Sequence, residues 1–393
     1  MSHTPSLTFV GGGYRTVSFL AHHPSLIPFC RIIEAGPRIG PGAFQDYDCV
    51  STSVSSRFVG RIAPEIAGKV PPEYGLDLLA DPAGPPVLLP RVARAMEGVG
   101  NVISDLTVDG QVRTCSRVRQ LVVESGQVAI QLQSGEALTS KHVIIATGRE
   151  ERPHPDLDPW RHKTVLSSQV LSYRYENDFL RRLAQLKGPV VIAGGSHSAV
   201  AALSRLLRIG HFVDGPPLEV EVVRRSPVRL HYQTVNEALL QNNPWEAAVD
   251  LQQDVCPETG QVNRDSGLRG AGRELFVQAV CGRLPHVRVS QYPSLEAAAH
   301  VFDAAGLVVQ ALGYRGRAPE IALPDGTVRE AYSEDRLYQM DDGTALIDGR
   351  PVKELSILRV EPTPLDRRDH GLYGQSLYEL LAARLSVIAS DAI

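Results

Sequence analysis

Short runs of apolar, β-type residues recur along the chain, and two of them lead into glycines and then into a helical spacing of apolar positions. Leu7–Val10 precedes Gly11 and its neighbours, and Val190–Ala193 precedes Gly194. A strand that passes through glycines into a helix places unpaired backbone N–H groups at the positive end of the helix dipole, where a pyrophosphate binds. The pattern therefore predicts two dinucleotide sites at strand-to-helix turns.

The first turn matches most of the dinucleotide-binding fingerprint. Gly11 and Gly13 fill the first and third positions, whereas Thr16 stands at the sixth, where glycine or alanine is usual. The next apolar run ends in Glu34, whose carboxylate can accept a hydrogen bond from a ribose hydroxyl. Gly42, in a glycine-rich stretch after this acid, lets the backbone approach a flat cofactor and favours FAD. An ordinary strand-to-helix turn with a solvated glutamate is the alternative.

The second turn has small residues at the same places and differs in the charge that follows. Gly194 and Ser196 fill the first and third positions, and Ser198 is a further phosphate-binding candidate in the same turn. The next strand ends in Arg224 and Arg225 instead of an acid. Two guanidinium groups suit the 2′-phosphate of NADPH, which a carboxylate would repel. NADPH is therefore predicted over NADH, with a solvated basic pair at a strand end as the alternative.

Each turn has a second apolar strand downstream that ends in Ala-x-Gly. The first ends in Ala146, Thr147 and Gly148, and the second repeats the pattern with Leu312 and Gly313. Such a repeat is expected when one nucleotide-binding module is inserted into another, so Thr147, Gly148 and Gly313 join the predicted cofactor-binding residues. We predict the first part of an FAD-binding domain at residues 1–155, an NADPH-binding domain at 156–310 and a return to the FAD-binding domain at 311–393.

The remaining patterns complete a predicted α/β fold: two Rossmann-like dinucleotide-binding modules, with the NADPH module inserted into the FAD module, and an antiparallel β-meander. Alternating apolar and polar positions between residues 111 and 142, with turn signals at Gly126 and Gly135, predict the meander. A short amphipathic helix is expected at residues 91–97 and a final helix at 377–388.

Composition narrows the class of protein and its partners. The 393 residues carry a formal net charge of −4, and a pI near 6.3 offers no basic surface for nucleic acid or an anionic membrane. The five cysteines form no C-x-x-C pair, which argues for a reducing compartment and against a dithiol–disulfide reductase. Because we find neither a signal-peptide pattern nor an apolar run of about 18 residues, we expect a cytoplasmic protein with no membrane partner. The twelve histidines lack the short ligand spacings of zinc sites, so no metal site is predicted.

With these motifs in order, the chain resembles the class B flavin-dependent monooxygenases, and within them the lysine and ornithine N-hydroxylases of siderophore assembly. The resemblance spans nearly the whole chain. The motifs that fall in family order are Gly11 and Gly13, residues 34–44, residues 194–199, Arg224-Arg225-Ser226, Asn236-Glu237, Ala311-Leu312-Gly313-Tyr314 and His370-Gly371-Leu372.

The resemblance implies a monooxygenase that uses FAD and NADPH. In such enzymes NADPH reduces the flavin, O₂ adds to give a C4a-hydroperoxide, and the neutral form of a small-molecule amine takes up one oxygen atom. Asn236, His370 and Gln45 become candidate catalytic residues; a turn or helix cap, a structural histidine and a surface loop are the respective alternatives. A flavin-dependent oxidase or reductase without oxygen insertion, and a nucleotide-sensing protein without catalysis, stay open, as does a homo-oligomer.

Overall fold

The computed structural model describes residues 5–81, 84–210, 217–241, 243–257, 259–264, 266–329, 337–358 and 375–390. The strands of this part of the chain are β1 (Leu7–Val10), β2 (Cys30–Ile33), β3 (Val50–Val54), β4 (Pro86–Leu88), β5 (Val112–Arg113), β6 (Val118–Glu124), β7 (Gln127–Leu132), β8 (Ala137–Ser140), β9 (His142–Ile145), β10 (Arg149–Glu150), β11 (Thr164–Leu166), β12 (Val190–Ala193), β13 (Val220–Arg224), β14 (Val287–Gln291), β15 (Leu307–Gln310), β16 (Arg315–Gly316), β17 (Glu320–Ala322), β18 (Val328–Arg329), β19 (Leu337–Gln339), β20 (Thr344–Ile347) and β21 (Arg350–Ile357).

The α-helices of the same residues are α1 (Tyr14–His22), α2 (Ser56–Val59), α3 (Pro64–Ala67), α4 (Leu89–Leu106), α5 (Ser167–Leu171), α6 (Glu176–Ala184), α7 (His197–Gly210), α8 (Val235–Leu240), α9 (Gly270–Val280), α10 (Ala299–Ala304) and α11 (Gln375–Ser390). Short 3₁₀ turns occur at Pro24–Phe29, Gly42–Asp46, Pro72–Tyr74, Asp77–Leu79, Pro155–Lys163, Tyr173–Tyr175 and Glu296–Ala298. In the described part of the chain, no helix has both the length and the apolar character needed to cross a membrane.

The first sheet is built on the strand that precedes the first glycine turn. Its strand order is β19-β20-β21-β9-β1-β2-β5, and the run from β21 to β5 is parallel. All four residues of β1 are buried. A continuous apolar run of this kind is typical of a central strand covered on both faces. The strands β19 and β20 extend the sheet in antiparallel fashion, so the C-terminal part of the chain returns to this module.

The second sheet contains the second glycine turn and is parallel throughout. Its order is β11-β15-β12-β13-β14. All its strands lie between β9 and β16 in the sequence, so this module is inserted into the first. The two connecting segments pair where they pass each other, because β10 and β16 form an antiparallel two-stranded sheet. These observations confirm the predicted fold class.

The meander lies where the alternation predicted it. The strands β6, β7 and β8 are antiparallel, and β17 joins β6 in parallel with β18 at the edge. The first strand of the predicted stretch, β5, instead pairs with β2 in the first sheet. The helix expected at residues 91–97 is longer, because apolar residues continue along one face of α4 as far as Ile103.

Candidate functional site

The first glycine turn is tightly enclosed by the neighbouring strand ends. Gly11 has φ +104°, and a Cβ at this position would lie 2.5 Å from the Ala146 carbonyl oxygen. Its N–H donates to Ile33 at 2.8 Å, and Ala146 donates back to Val10 at 2.8 Å. Both the left-handed backbone and the missing space exclude a side chain, so glycine is required at this position.

Thr16 at the sixth fingerprint position has a structural role. Its side chain is fully buried, and its hydroxyl donates to the Gly11 carbonyl oxygen at 2.5 Å. The departure from glycine therefore adds a hydrogen bond within the turn and leaves the strand-to-helix geometry intact.

The N-terminus of α1 is open to an anion. Among the described residues, α1 has no side-chain capping bond at its N-cap, Gly13, which leaves the N–H groups of its first turn available to a ligand. A Cβ on Gly13 would lie 3.6 Å from the Cα of Gly42, which has φ +53°. Two bare glycines thus face each other beside the helix start. This cradle fits a pyrophosphate, because side chains at either position would fill it.

The other first-module residues lie around this cradle. The Glu34 carboxylate accepts from the N–H groups of Gly12 and Gly36, each at 2.6 Å, and keeps lone pairs for a further donor. Its contact with a ribose stays a prediction. The Thr147 hydroxyl donates to the Arg317 carbonyl oxygen at 2.5 Å, which ties the end of β9 to the returning chain. A side-chain carbon on Gly148, which has φ +72°, would meet open space.

The second turn repeats the geometry of the first. Gly194 has φ +138°, and a Cβ there would collide with the Ala311 carbonyl oxygen. Its N–H donates to Val223 at 2.8 Å, and Ala311 donates to Ala193 at 2.8 Å. The strand-to-helix turns of the two modules are therefore equivalent, as the Ala-x-Gly repeat predicted.

A pocket of about 320 Å³ opens beside the second turn. Its lining residues are Gly194, Gly195, Ser196, Val223, Arg224, Arg225, Ser226, Pro227, Val228, Arg229, Ser266, Leu268, Leu295, Ala311, Leu312 and Gly313. Ser198, the remaining predicted residue of this turn, follows Ser196 within the first turn of α7 and is not part of the lining.

The two arginines of the predicted pair lie in different environments. Arg224 is only 6 % exposed; its Nη1 donates to the Ser226 carbonyl oxygen at 2.8 Å, and its Nε has no partner among the described residues. Burial lowers the pKa of Arg224. Arg225 is exposed along the lining. A third guanidinium, Arg229, lies 3.5 Å from Asp254 and was missed because nothing in its local sequence marks it as a pocket residue.

The predicted catalytic residues are not brought together. Asn236 is exposed near the start of α8, where the adjacent Glu237 accepts from Gln233 and completes a helix cap with Thr234. Gln45 accepts from Arg38 at 3.1 Å and lines a separate pocket of about 420 Å³. His370 lies outside the described residues. The catalytic roles of all three stay predictions.

The boundary at which the two modules meet, called the seam below, contains a buried acid, Glu151, that the sequence analysis missed. One oxygen of Glu151 accepts from the Ser167 hydroxyl at 2.9 Å and the Ser168 N–H at 2.8 Å, and the other has no partner among the described residues. The side chain is 7 % exposed, and burial raises its pKa. The side chains of Tyr47 and Tyr314 are hydrogen-bonded to each other. Burial raises the pKa of both phenols, and the nearby charge of Glu151 contributes in the same direction.

A second cluster of polar side chains connects the two modules at the seam. Arg205 of α7 is 1 % exposed and pairs with Asp48 of the first module. The same carboxylate accepts from Arg208 at 2.9 Å and from the Tyr173 hydroxyl at 2.9 Å. The helix that begins at the second glycine turn is thereby tied to the segment that follows Gly42.

No protein-family model matches the chain. A CMP-5′-(3-aminopropyl)phosphonate hydroxylase from Streptomyces rubellomurinus is 36 % identical over 149 residues, which are 35 % of this chain and 32 % of that protein. The match thus spans about a third of the relative.

Solved structures match over almost the whole chain. An ornithine N-hydroxylase from Kutzneria sp. 744, with reduced FAD, NADP⁺ and L-ornithine, has a TM-score of 0.58 at 15 % identity and covers 99 % of both chains. A cadaverine monooxygenase from Erwinia amylovora, bound to FAD, has a TM-score of 0.59 at 12 % identity, with 99 % of this chain and 94 % of that one covered. The chain therefore has the fold of the N-hydroxylating monooxygenases, as its motifs indicated.

Proposed function

We propose that this protein is a monooxygenase that uses FAD and NADPH to N-hydroxylate a primary aliphatic amine of a small molecule. The observation that carries the proposal is the pair of equivalent glycine cradles, Gly11 with Ala146 and Gly194 with Ala311, in two modules of one chain. The similar proteins support the reaction class, because ornithine, cadaverine and a 3-aminopropyl phosphonate all present a primary amine on an alkyl chain.

The first module fits FAD. The uncapped start of α1 would hold its pyrophosphate, Glu34 the ribose, and Gly13 and Gly42 would allow close approach of the backbone. The second module fits NADPH, with its pyrophosphate at Ser196 and its 2′-phosphate at Arg225 and Arg229. When bound, this pair supplies the reducing equivalents and the activation of O₂, which no side chain provides.

At the seam, Glu151 is the candidate for holding the amine. It directly follows β10, on the segment that leaves the carboxyl end of β9, and Tyr314 lies on the segment that leaves the carboxyl end of β15; ligands of such folds bind at the carboxyl ends of parallel strands. The unpartnered Glu151 oxygen can accept a hydrogen bond from an ammonium group. Because burial raises the pKa of Glu151, this carboxylate is also suited to take the proton that the amine must lose before oxidation.

The relative from Streptomyces suggests the substrate class to test first. The substrate in its name joins a primary amine to a phosphonate and a nucleotide, whereas the structural neighbours act on a free amino acid or a diamine. We therefore rank aminoalkyl phosphonates and their CMP esters ahead of ornithine, lysine and cadaverine.

The test is an amine panel with protein reconstituted with FAD. NADPH oxidation, O₂ uptake and the mass of the product are measured for each amine. We expect one amine to couple all three, with a product heavier by one oxygen atom. Peroxide release without a hydroxylated product for every amine would favour an oxidase, and NADPH oxidation without O₂ uptake would favour a reductase. Failure to take up FAD would refute both.

The role of Glu151 needs a matched pair of variants. Glu151→Gln keeps an oxygen for the Ser168 N–H and loses the charge, and we expect the KM for the amine to rise by about tenfold or more. Glu150→Gln removes the same charge one residue earlier, where the side chain pairs with Arg152, and should leave this KM within about twofold. Equal effects of the two variants would contradict the assignment.

A further inference from the structure

A cluster of metal-ligating side chains lies where α1 ends against α11, away from both glycine cradles. A ring nitrogen of His22, a ring nitrogen of His23 and a carboxylate oxygen of Glu379 all lie within 4.8 Å of one another. The two helices are packed at this point, because the rings of Phe19 and Tyr378 are 5.3 Å apart in an edge contact. The three side chains are therefore held together by the fold.

The hydrogen bonds of His22 set its tautomer. Its Nδ1 lies 2.8 Å from the Arg61 carbonyl oxygen, which can only accept, so Nδ1 carries the hydrogen. In the neutral ring the Nε2 lone pair then points at the Glu379 carboxylate, 2.9 Å away. Two acceptors face each other, which is unfavourable unless His22 is protonated or a cation lies beside them. Metal-binding histidines show this same arrangement, with the other ring nitrogen donating to a carbonyl.

His23 provides a second, independent indication. Its Nε2 is shielded from solvent and has no hydrogen-bond partner among the described residues. The His23 ring lies 4.4 Å from the His22 ring, measured between centroids, in an edge contact, so the two imidazoles stand side by side at the end of α1.

We propose that His22, His23 and Glu379 form a binding site for a single divalent transition metal of the Zn²⁺ type. Two imidazoles and one carboxylate are a ligand set that Zn²⁺ accepts, with water completing the tetrahedron. The site joins the end of the helix that forms the first cradle to the C-terminal helix, so the bound metal stabilises the first module. The sequence showed no spacing for this site, because Glu379 lies 357 positions after His22.

The test is a titration of the chelator-treated full-length protein with ZnCl₂ by calorimetry, together with thermal unfolding. We expect one equivalent to bind and the unfolding midpoint to rise. His23→Gln and Glu379→Gln should each weaken binding at least tenfold and abolish the rise. Since Glu379 is 53 % exposed, its replacement should not disturb folding, so this variant decides the matter if the other is unstable.

The matched control is His154→Gln. His154 lies 3.7 Å from Asp156, where the chain enters the inserted module, and in the described part of the chain this histidine–carboxylate pair has no third ligand. This control should bind Zn²⁺ as the natural protein does. The proposal is overturned if the natural protein binds no stoichiometric Zn²⁺, or if binding is the same in Glu379→Gln and His154→Gln. Neither result depends on FAD, NADPH or an amine, so this site and the proposed reaction fail or succeed separately.

Discussion

Replacing Arg225 with alanine tests which guanidinium of the arginine pair recognises the 2′-phosphate. Arg225 is exposed on the lining of the 320 Å³ pocket, whereas Arg224 is 6 % exposed and already donates to its own loop. A hydrogen bond between charged groups contributes about 1.5–3 kcal/mol, and solvent around Arg225 favours the lower figure. Each 1.4 kcal/mol corresponds to about a factor of ten. We therefore expect Arg225→Ala to weaken NADPH binding about tenfold and NADH binding less than about twofold.

The assay is the dissociation constant of each nucleotide, measured by fluorescence or calorimetry with the FAD-loaded protein. Arg283→Ala is the matched control, because it removes an exposed positive charge from the same module at a position that does not line the pocket. Arg224→Ala should lower the unfolding temperature more than it changes the preference for NADPH, since it leaves a carbonyl oxygen without its donor. The reasoning is refuted if Arg225→Ala weakens NADPH and NADH equally, or if Arg224→Ala alone removes the preference.

Three further predictions concern the second cradle, the seam and the effect of pH. Gly194→Ala forces a side chain onto a strand-end carbonyl, so we expect loss of NADPH binding with FAD retained. Gly282→Ala also places a side chain at positive φ in the same module, but it meets open space and does not line the pocket, so it should bind NADPH within about tenfold of the natural protein when titrated in parallel. Asp48→Asn removes the charge that faces the buried Arg205 and should lower the urea-derived free energy of unfolding by about 3 kcal/mol; a change below about 0.5 kcal/mol would contradict a role for this pair. Burial lowers the pKa of His142 to about 3, so between about pH 6.5 and pH 3 the unfolded chain binds a proton that the folded chain does not bind. The free energy of unfolding therefore falls as the pH drops through this range. At pH 5 this group alone has lowered the free energy of unfolding by about 2 kcal/mol. In denaturant titrations, His142→Gln should therefore reduce the difference in unfolding free energy between pH 7.5 and pH 5 by that amount.

Much of the fold could be predicted because its signals are local. The glycine turns were recognisable since Gly11 and Gly194 each follow an apolar strand and precede a helical pattern. The end of α4 was underestimated, because its apolar face continues past Gly98 and Gly100, and glycines often mark a helix end. The short strand β5 was assigned to the meander, because two residues carry no periodicity that separates a parallel partner from an antiparallel one.

The sequence by itself determined the two-module fold and the places of both cradles. Backbone conformation and strand burial depend on neighbouring residues, and these leave a readable pattern of glycines and apolar runs. Only the tertiary structure decided that Thr16 closes the first turn, that Arg224 is buried while Arg225 is exposed on the same pocket, and that Glu151 is buried at the seam. Side-chain environment depends on packing between distant segments, so no local spacing in the chain encodes it.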